Sequence, residues 1–356
     1  MPILITGTSG DSAHGETLTI TGSGFGIKSP ATPAVYDDFE SGVVGQRVNG
    51  RTPIYGDVWI DDSPSVNYPL IDNTSPRSQF ASRMCRFYYS SGLSNYTSAI
   101  LQNRIISVGY FSFWYRWQRQ AGFPDYSRNT KPWVIYGTDG IMPQSYLGWG
   151  GPPANDFGIR NSVQDTNGAG PTLWGFTDHR DIEGEWVRLE QYLVQNSGGS
   201  AADGTFQYWT HRPNASIPQI ILEASAVGNY QTRSSGHVWR QIEFGYYSSH
   251  DIGNPAYTVY QDEIYFDVTQ ARVEFGNANT WAACTRRELQ VPTQWSATSI
   301  TVTVNRGQFS NTDPAYLYVV DSTGTISASG FLVSGGAVQT AAPGKMFVHG
   351  RQLRSG

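Results

Sequence analysis

Apolar and polar residues alternate with a period of two along most of the chain. No stretch longer than a turn follows the helical period of about 3.6 residues. The alternation predicts strands over 17–21, 81–89, 110–118, 131–136, 185–194, 205–211, 220–223, 238–247, 256–267, 299–304 and 315–321. Clusters of Gly, Pro, Asn and Asp separate them, as at 137–140, 148–155, 196–204 and 228–236. The Gly/Asn-rich stretch 137–184 reads as long loops that rim or cover one sheet face. No repeat of 20–50 residues is visible, which disfavours solenoids and propellers.

Alternation also sorts side chains by face. Over 185–194 it puts Trp186, Arg188, Glu190, Tyr192 and Val194 on one side, against Val187, Leu189, Gln191 and Leu193. Over 110–118, Tyr110, Ser112, Trp114, Arg116 and Gln118 oppose Phe111, Phe113, Tyr115 and Trp117. Over 205–211, Phe206, Tyr208 and Thr210 oppose Gln207, Trp209 and His211. A row of rings and charges suits a sugar-binding face, since rings stack on sugar C–H faces while Arg and Glu bond hydroxyls. The candidate glycan residues are Arg116, Trp186, Arg188, Glu190, Tyr192 and Tyr208. The plainer alternative, cross-strand ties on a half-exposed sheet, stays open.

Composition narrows the class. The 356 residues carry a formal net charge of −5, with Lys and Arg scattered, so nucleic acid and a polybasic membrane contact are not expected. No apolar run approaches the ~18 residues of a membrane span, and no signal peptide is expected. Charged residues make up 15%, against a usual ~25%, and aromatics 13%, which suits a many-stranded protein with a large core. Cys85 and Cys284 read as unlinked structural thiols.

Catalytic motifs are sparse. The E-x-D-x-E pattern of β-glucanases is absent, and Glu263 and Asp267 in DEIYFD lack a central acid, so a two-carboxylate glycosidase is not expected. Parts for β-elimination exist (Arg116, Arg188, Tyr192, His211, Tyr208), but no spacing singles them out. The six histidines show no metal-binding spacing. Hard oxygen ligands do cluster at two places, Asp37, Asp38 and Glu40 early and Asp262 and Glu263 late. Pairing of those segments would assemble a calcium site, or else edge carboxylates that discourage aggregation.

Residues 3–26, ILITGTSGDSAHGETLTITGSGFG, resemble the opening of an IPT/TIG immunoglobulin-like domain, with Leu18 and Ile20 inward and Phe25 as a plug between glycines. RVEFGNANTW (272–281), QVPTQWSATSITVTVNRG (290–307) and AYLYVVDSTGTISASGFLV (315–333) resemble its second half. Between them, YDDFESG (36–42), YFSFWYRWQ (110–118), EGEWVRLEQYLVQNS (183–197) and YQDEIYFDVTQARVE (260–274) resemble a concanavalin A-like, polysaccharide-lyase-like jelly roll of the kind met in bacteriophage structural proteins. The resemblance implies an all-β chain. In it residues 1–33 and 271–340 would form one immunoglobulin-like sandwich, 34–270 an inserted jelly roll, and 341–356 a C-terminal arm. It also implies a virion protein, made in the host cytoplasm without a signal peptide, serving as capsid decoration or a short head or tail fibre. Its partners would be the major capsid protein or tail and neck proteins, a second copy of itself, or a cell-surface glycan, with no enzymatic role. The other class is a polysaccharide-binding or lyase-type protein.

Overall fold

The computed structural model describes residues 2–61, 68–89, 95–96, 99–101, 106–119, 129–137, 144–149, 158–165, 168–199, 201–233, 239–249 and 257–333. The arm expected at 341–356, and residues 334–340 before it, lie outside the described residues. Among the described residues the chain is all-β, apart from two short 3-10 turns at His179–Ile182 and Trp281–Ala283.

The two ends of the chain fold together. Leu4–Gly10 and Thr17–Ser23 form an antiparallel hairpin, and Thr17–Ser23 then pairs with Ser299–Thr303. The sheet continues through Arg287–Trp295, Arg272–Gly276 and Ala315–Val320 to Phe331–Val333. Arg287–Trp295 bends this sheet into a sandwich: its first half pairs with Arg272–Gly276 and its second half with Ser299–Thr303. Inside sit Leu18, Ile20, Phe25, Val273, Phe275, Ile300, Val302, Leu317 and Val319. Gly24 and Gly26 hold φ of +77° and +70° on either side of Phe25, a left-handed geometry that lets the ring turn inward.

Residues 34–267 build a second, larger sandwich. One sheet runs Gln219–Tyr230, Gly204–Arg212, Val187–Val194, Val108–Arg119, Tyr257–Asp267, Met84–Tyr89 and Leu70–Asp72, with Val35–Asp37 also on Tyr257–Asp267. The facing sheet runs Gly168–Asp178, Gly158–Asp165, Gln144–Trp149, Asn129–Gly137 and Trp239–Ser249. Phe111, Phe113, Tyr115 and Trp117 meet Trp133, Ile135, Trp239 and Phe244 between them, an aromatic-rich core. Cys85 and Cys284 are buried free thiols. Among the described residues no helix is long and apolar enough to cross a membrane.

The stretch 137–184 corrects the expectation of loops. It contains three strands of the facing sheet, Gln144–Trp149, Gly158–Asp165 and Gly168–Asp178. Their Gly, Asn and Ser content hides them from a propensity reading, and antiparallel backbone pairing sets their register.

Val35–Asp37 lies antiparallel to Tyr257–Asp267, with Asp37 opposite Ile264, so the larger sandwich starts and ends at neighbouring strands. A buried clasp closes this junction. Lys28 Nζ lies 2.8 Å from Asp267 and donates to the carbonyls of Ala31 (2.6 Å) and Thr32 (3.0 Å). Burial lowers the Lys28 ammonium and raises the Asp267 carboxyl, each opposed by the other's charge. Lys28→Met keeps the stem but strands Asp267 and the carbonyls. The expected loss is about 3 kcal/mol in denaturant unfolding, the low end for a broken buried pair because Asp267 can take up a proton. An unchanged midpoint would show that the clasp contributes nothing.

Candidate functional site

The eight-stranded sheet of the larger sandwich, which contains Val187–Val194, has one face in the core and one turned away from it. Val187–Val194 sits between Val108–Arg119 and Gly204–Arg212, so Arg188 is flanked by Trp114 and His211, and Glu190 by Ser112 and Trp209. That is the row of charges and rings that alternation assigns to one face.

The row is covered. Arg272–Gly276 and Arg287–Trp295 of the terminal sandwich lie over it, and Arg188 is 1% exposed. Its guanidinium donates to Ser112 Oγ (2.7 Å), Glu274 (2.9 Å), the Tyr110 hydroxyl (3.1 Å) and the Arg287 carbonyl (3.2 Å). Glu190 accepts from Arg272 (2.9 Å) and the Tyr110 hydroxyl (3.0 Å), and Glu274 from Arg272 Nε (2.6 Å). Tyr192 joins Tyr36, Tyr110, Tyr265, Leu289 and Val291 in an apolar patch between the sandwiches.

Electrostatics follow from this crowding. Burial would raise Glu190, but Arg272, the His211 hydrogen bond, Arg287 and Arg188 hold it well below the usual carboxylate range. Burial opposes Glu274 in the same way, and Arg188 and Arg287 bring it down to about 2. Burial, then Arg188, lowers His211 to about 4. The neutral ring therefore presents an Nε2 proton to Glu190 Oε2, 2.7 Å away.

The expected glycan face is corrected accordingly. Arg188, Glu190 and Tyr192 stand at an interface, bonded to or packed on the second sandwich. Tyr208 is on the core side, where its hydroxyl donates to the carbonyls of Ile159 and Leu173 (both 3.3 Å) and ties the two sheets together. Trp186 packs with Met84, Trp114 and Tyr260 and donates its indole N–H to the Ser75 carbonyl (3.1 Å). Arg116 differs from all of these. It is half-buried opposite Tyr260, and among the described residues its Nε has no hydrogen-bond partner and Nη2 reaches only Gln118 Oε1, at 3.5 Å.

The expected calcium ligands also have other partners. Asp37 pairs with Arg51 and accepts from Trp59 Nε1 (2.6 Å) and the Phe39 N–H (3.1 Å). Glu40 takes the N–H groups of Ser82 (2.6 Å) and Arg83 (2.7 Å). Asp262 and Glu263 both face Arg77. Asp38 is pushed up to about 6 by burial and then by the charges of Asp37, Glu263 and Glu40, with the Glu40 N–H opposing. The acidic segments thus do converge, but guanidinium groups supply the positive charge that a cation would bring. Among the described residues no group of three or more His, Cys, Asp or Glu side chains is arranged to hold a metal ion.

Sequence reasoning missed Arg77, Arg272, Glu274, Arg287 and Glu288. A usable signal was present: Arg272 and Glu274 share one face of a short strand, and Arg287 begins the next. Two charges aimed the same way from a five-residue strand call for a polar partner.

No protein-family profile matches the chain, and no curated protein matches its sequence. Among solved structures, it is similar to the alginate lyase Aly36B at 13% identity and a TM-score of 0.42, over 67% of this chain and 98% of that one. It is similar to the marine PL-14 alginate lyase from Aplysia kurodai at 15% identity and a TM-score of 0.38, over 55% and 86%. The cellulose induced protein Cip1 follows at 16% identity and a TM-score of 0.40, over 66% and 97%.

Proposed function

We propose that this chain is a structural protein of a tailed-bacteriophage particle, a capsid decoration or a short head or tail fibre. In this reading an IPT/TIG immunoglobulin-like sandwich, built from both chain ends, docks on the major capsid protein or a tail or neck protein. A concanavalin A-like jelly roll faces outward from it. One observation carries the reading: the polar face that a polymer-cleaving jelly roll would keep open is closed by the second sandwich. Arg188, Glu190 and His211 are bonded into that closure, which supports a rigid two-part building block and argues against elimination chemistry at these residues. The motifs quoted above supply the phage assignment.

Mass spectrometry of purified particles tests it. The expected result is many copies per particle and no unsaturated product from a panel of uronate polymers. Absence from particles, or product formation, would overturn it.

A second reading, glycan binding, rests on Arg116. A guanidinium without a carboxylate partner among the described residues, beside the Trp186, Trp114 and Tyr260 cluster, suits the carboxylate of an acidic bacterial surface polysaccharide. Arg116→Ala is expected to weaken such binding about tenfold, the value of one charge-assisted contact, with an unchanged melting temperature. Equal binding by the variant would remove Arg116 from any glycan contact.

A further inference from the structure

A second buried junction between the sandwiches lies around Arg77, separate from the Arg188 network. Asp262 and Glu263 belong to the larger sandwich and sit in a bulge, where the register slips between Asp262 and Tyr265 and Glu263 takes a φ of 46°. Glu288 comes from the terminal sandwich, on Arg287–Trp295. All three carboxylates turn toward one guanidinium. Arg77 pairs with Glu263, reaches Glu288 at 3.1 Å, and has Nε 3.7 Å from Asp262. The Trp114 ring closes the other side of Arg77, 4.4 Å away.

One positive charge faces three carboxyls, all essentially buried, so full ionisation would leave an excess of two negative charges out of water. Hydrogen bonds show where the excess falls. Glu263 is well served, by Arg77 and by Asn305 Nδ2 at 2.7 Å. Asp262 and Glu288 are each served at one oxygen, by the Glu263 N–H and by Arg77 and the Gln308 N–H, while Asp262 Oδ2 and Glu288 Oε2 have no hydrogen-bond partner among the described residues.

We infer that this junction is a proton-operated latch between the two sandwiches, closed when Asp262 and Glu288 carry protons and loosened when those protons leave. Protonation of these two carboxyls leaves Arg77 and Glu263 as a balanced pair. The other charged and titratable neighbours do not supply the missing positive charge. Asp38 adds a carboxyl, and Tyr36 faces Glu263, Asp38 and Asp262 as a neutral phenol, its hydroxyl raised by burial and by those charges. Burial lowers His14, stacked on Phe80 at 4.4 Å and facing Glu263, Arg77 and Glu40, so that it too is neutral near pH 7. Arg188 reaches Glu288 electrostatically from the neighbouring network but is already committed to Glu274.

The direction of the effect follows by linkage. Burial pushes Glu288 from the usual 4.5 up to about 7, with Arg77 opposing, and raises Asp262 by burial and by Glu263. A carboxyl raised in the closed state keeps its proton after the open state has lost it. Closure is therefore favoured most at low pH and is lost as pH rises toward about 7, by up to about tenfold per pH unit for each proton. His14, His179 and His211, held neutral by burial, act in the opposite sense below their usual 6.5. These histidines are common to the wild type and the variants and cancel in the difference between their curves, which opens mainly between 4.5 and about 7 for Glu288. In the wild type alone the loss is read above 6.5, on the tail of that titration and on that of Asp262, raised well above its usual value.

The test uses the full chain, its Glu288→Gln variant and, as an independent second, Asp262→Asn. Melting temperature and small-angle scattering are followed from about pH 5 to about pH 8.5, a range spanning ordinary carboxyl and histidine titration. The wild type is expected to lose melting temperature and to expand above the histidine range. Each variant, with one fewer carboxylate, should lose less, so that its melting temperature gains on the wild type as pH rises. A variant curve parallel to the wild type overturns the latch. If neither variant folds, a wild-type curve that is flat or rising above the histidine range overturns it, and a falling one with expansion supports it.

Discussion

Arg188→Ala is expected to destabilise the full chain by about 5 kcal/mol, the upper range for removing one partner of a buried ion pair. The side chain bonds Ser112, Tyr110, Glu274 and the Arg287 carbonyl, so groups from both sandwiches lose their partner at once. Glu274 keeps Arg272, but its low protonation range depends first on Arg188 among its charged neighbours. Arg188→Lys is expected to recover little, because one ammonium cannot donate in the three directions the guanidinium fork serves. Denaturant unfolding followed by tryptophan fluorescence reads the loss. A cost below about 1 kcal/mol would place Arg188 among ordinary surface ion pairs and contradict its described position.

Gly245→Ala is expected to cost about 4 kcal/mol through a different mechanism. Gly245 holds a φ of +66°, where a Cβ adds about 1–2 kcal/mol. That Cβ would lie 2.2 Å from Phe87 Cδ1, inside the aromatic core, and overpacking adds about 1–3 kcal/mol more. Phe87 is fully buried and has no direction in which to retreat. The companion Phe87→Leu is expected to relieve part of the clash, so the double variant should lose less than the sum of the two singles. Simple additivity would locate the strain elsewhere.

Much of the sandwich logic is legible in the alternation itself. Phe111, Phe113, Tyr115 and Trp117 are core residues, and Tyr110, Ser112 and Trp114 lie on the opposite face, as their spacing dictates. What covers that face is not legible. A row of Trp, Arg, Glu and Tyr looks the same whether it meets a sugar, water or a second sheet, and here the cover comes from Arg272–Gly276 and Arg287–Trp295, distant in sequence. Tyr208 shows a finer limit: alternation groups it with Phe206 and Thr210 but does not mark which side of that strand is the core, and it is the core side. The acidic residues at 37–40 and 262–263 do converge as strand pairing implies. The cations that meet them, Arg51 at Asp37 and Arg77 at Asp262 and Glu263, sit in irregular stretches where no periodicity marks them.

The polar face of the larger sandwich is an interior surface closed by the terminal one. A double-mutant cycle on Arg188 and Glu274 measures this closure most directly, since these residues come from different sandwiches and lie 2.9 Å apart. Unfolding of the wild type, Arg188→Ala, Glu274→Ala and the double variant gives their coupling free energy. The expected coupling is at least about 1.5 kcal/mol, the lower range for a close charge pair at an interface. Additivity to within about 0.5 kcal/mol would mean the two side chains do not meet, and the face would be open.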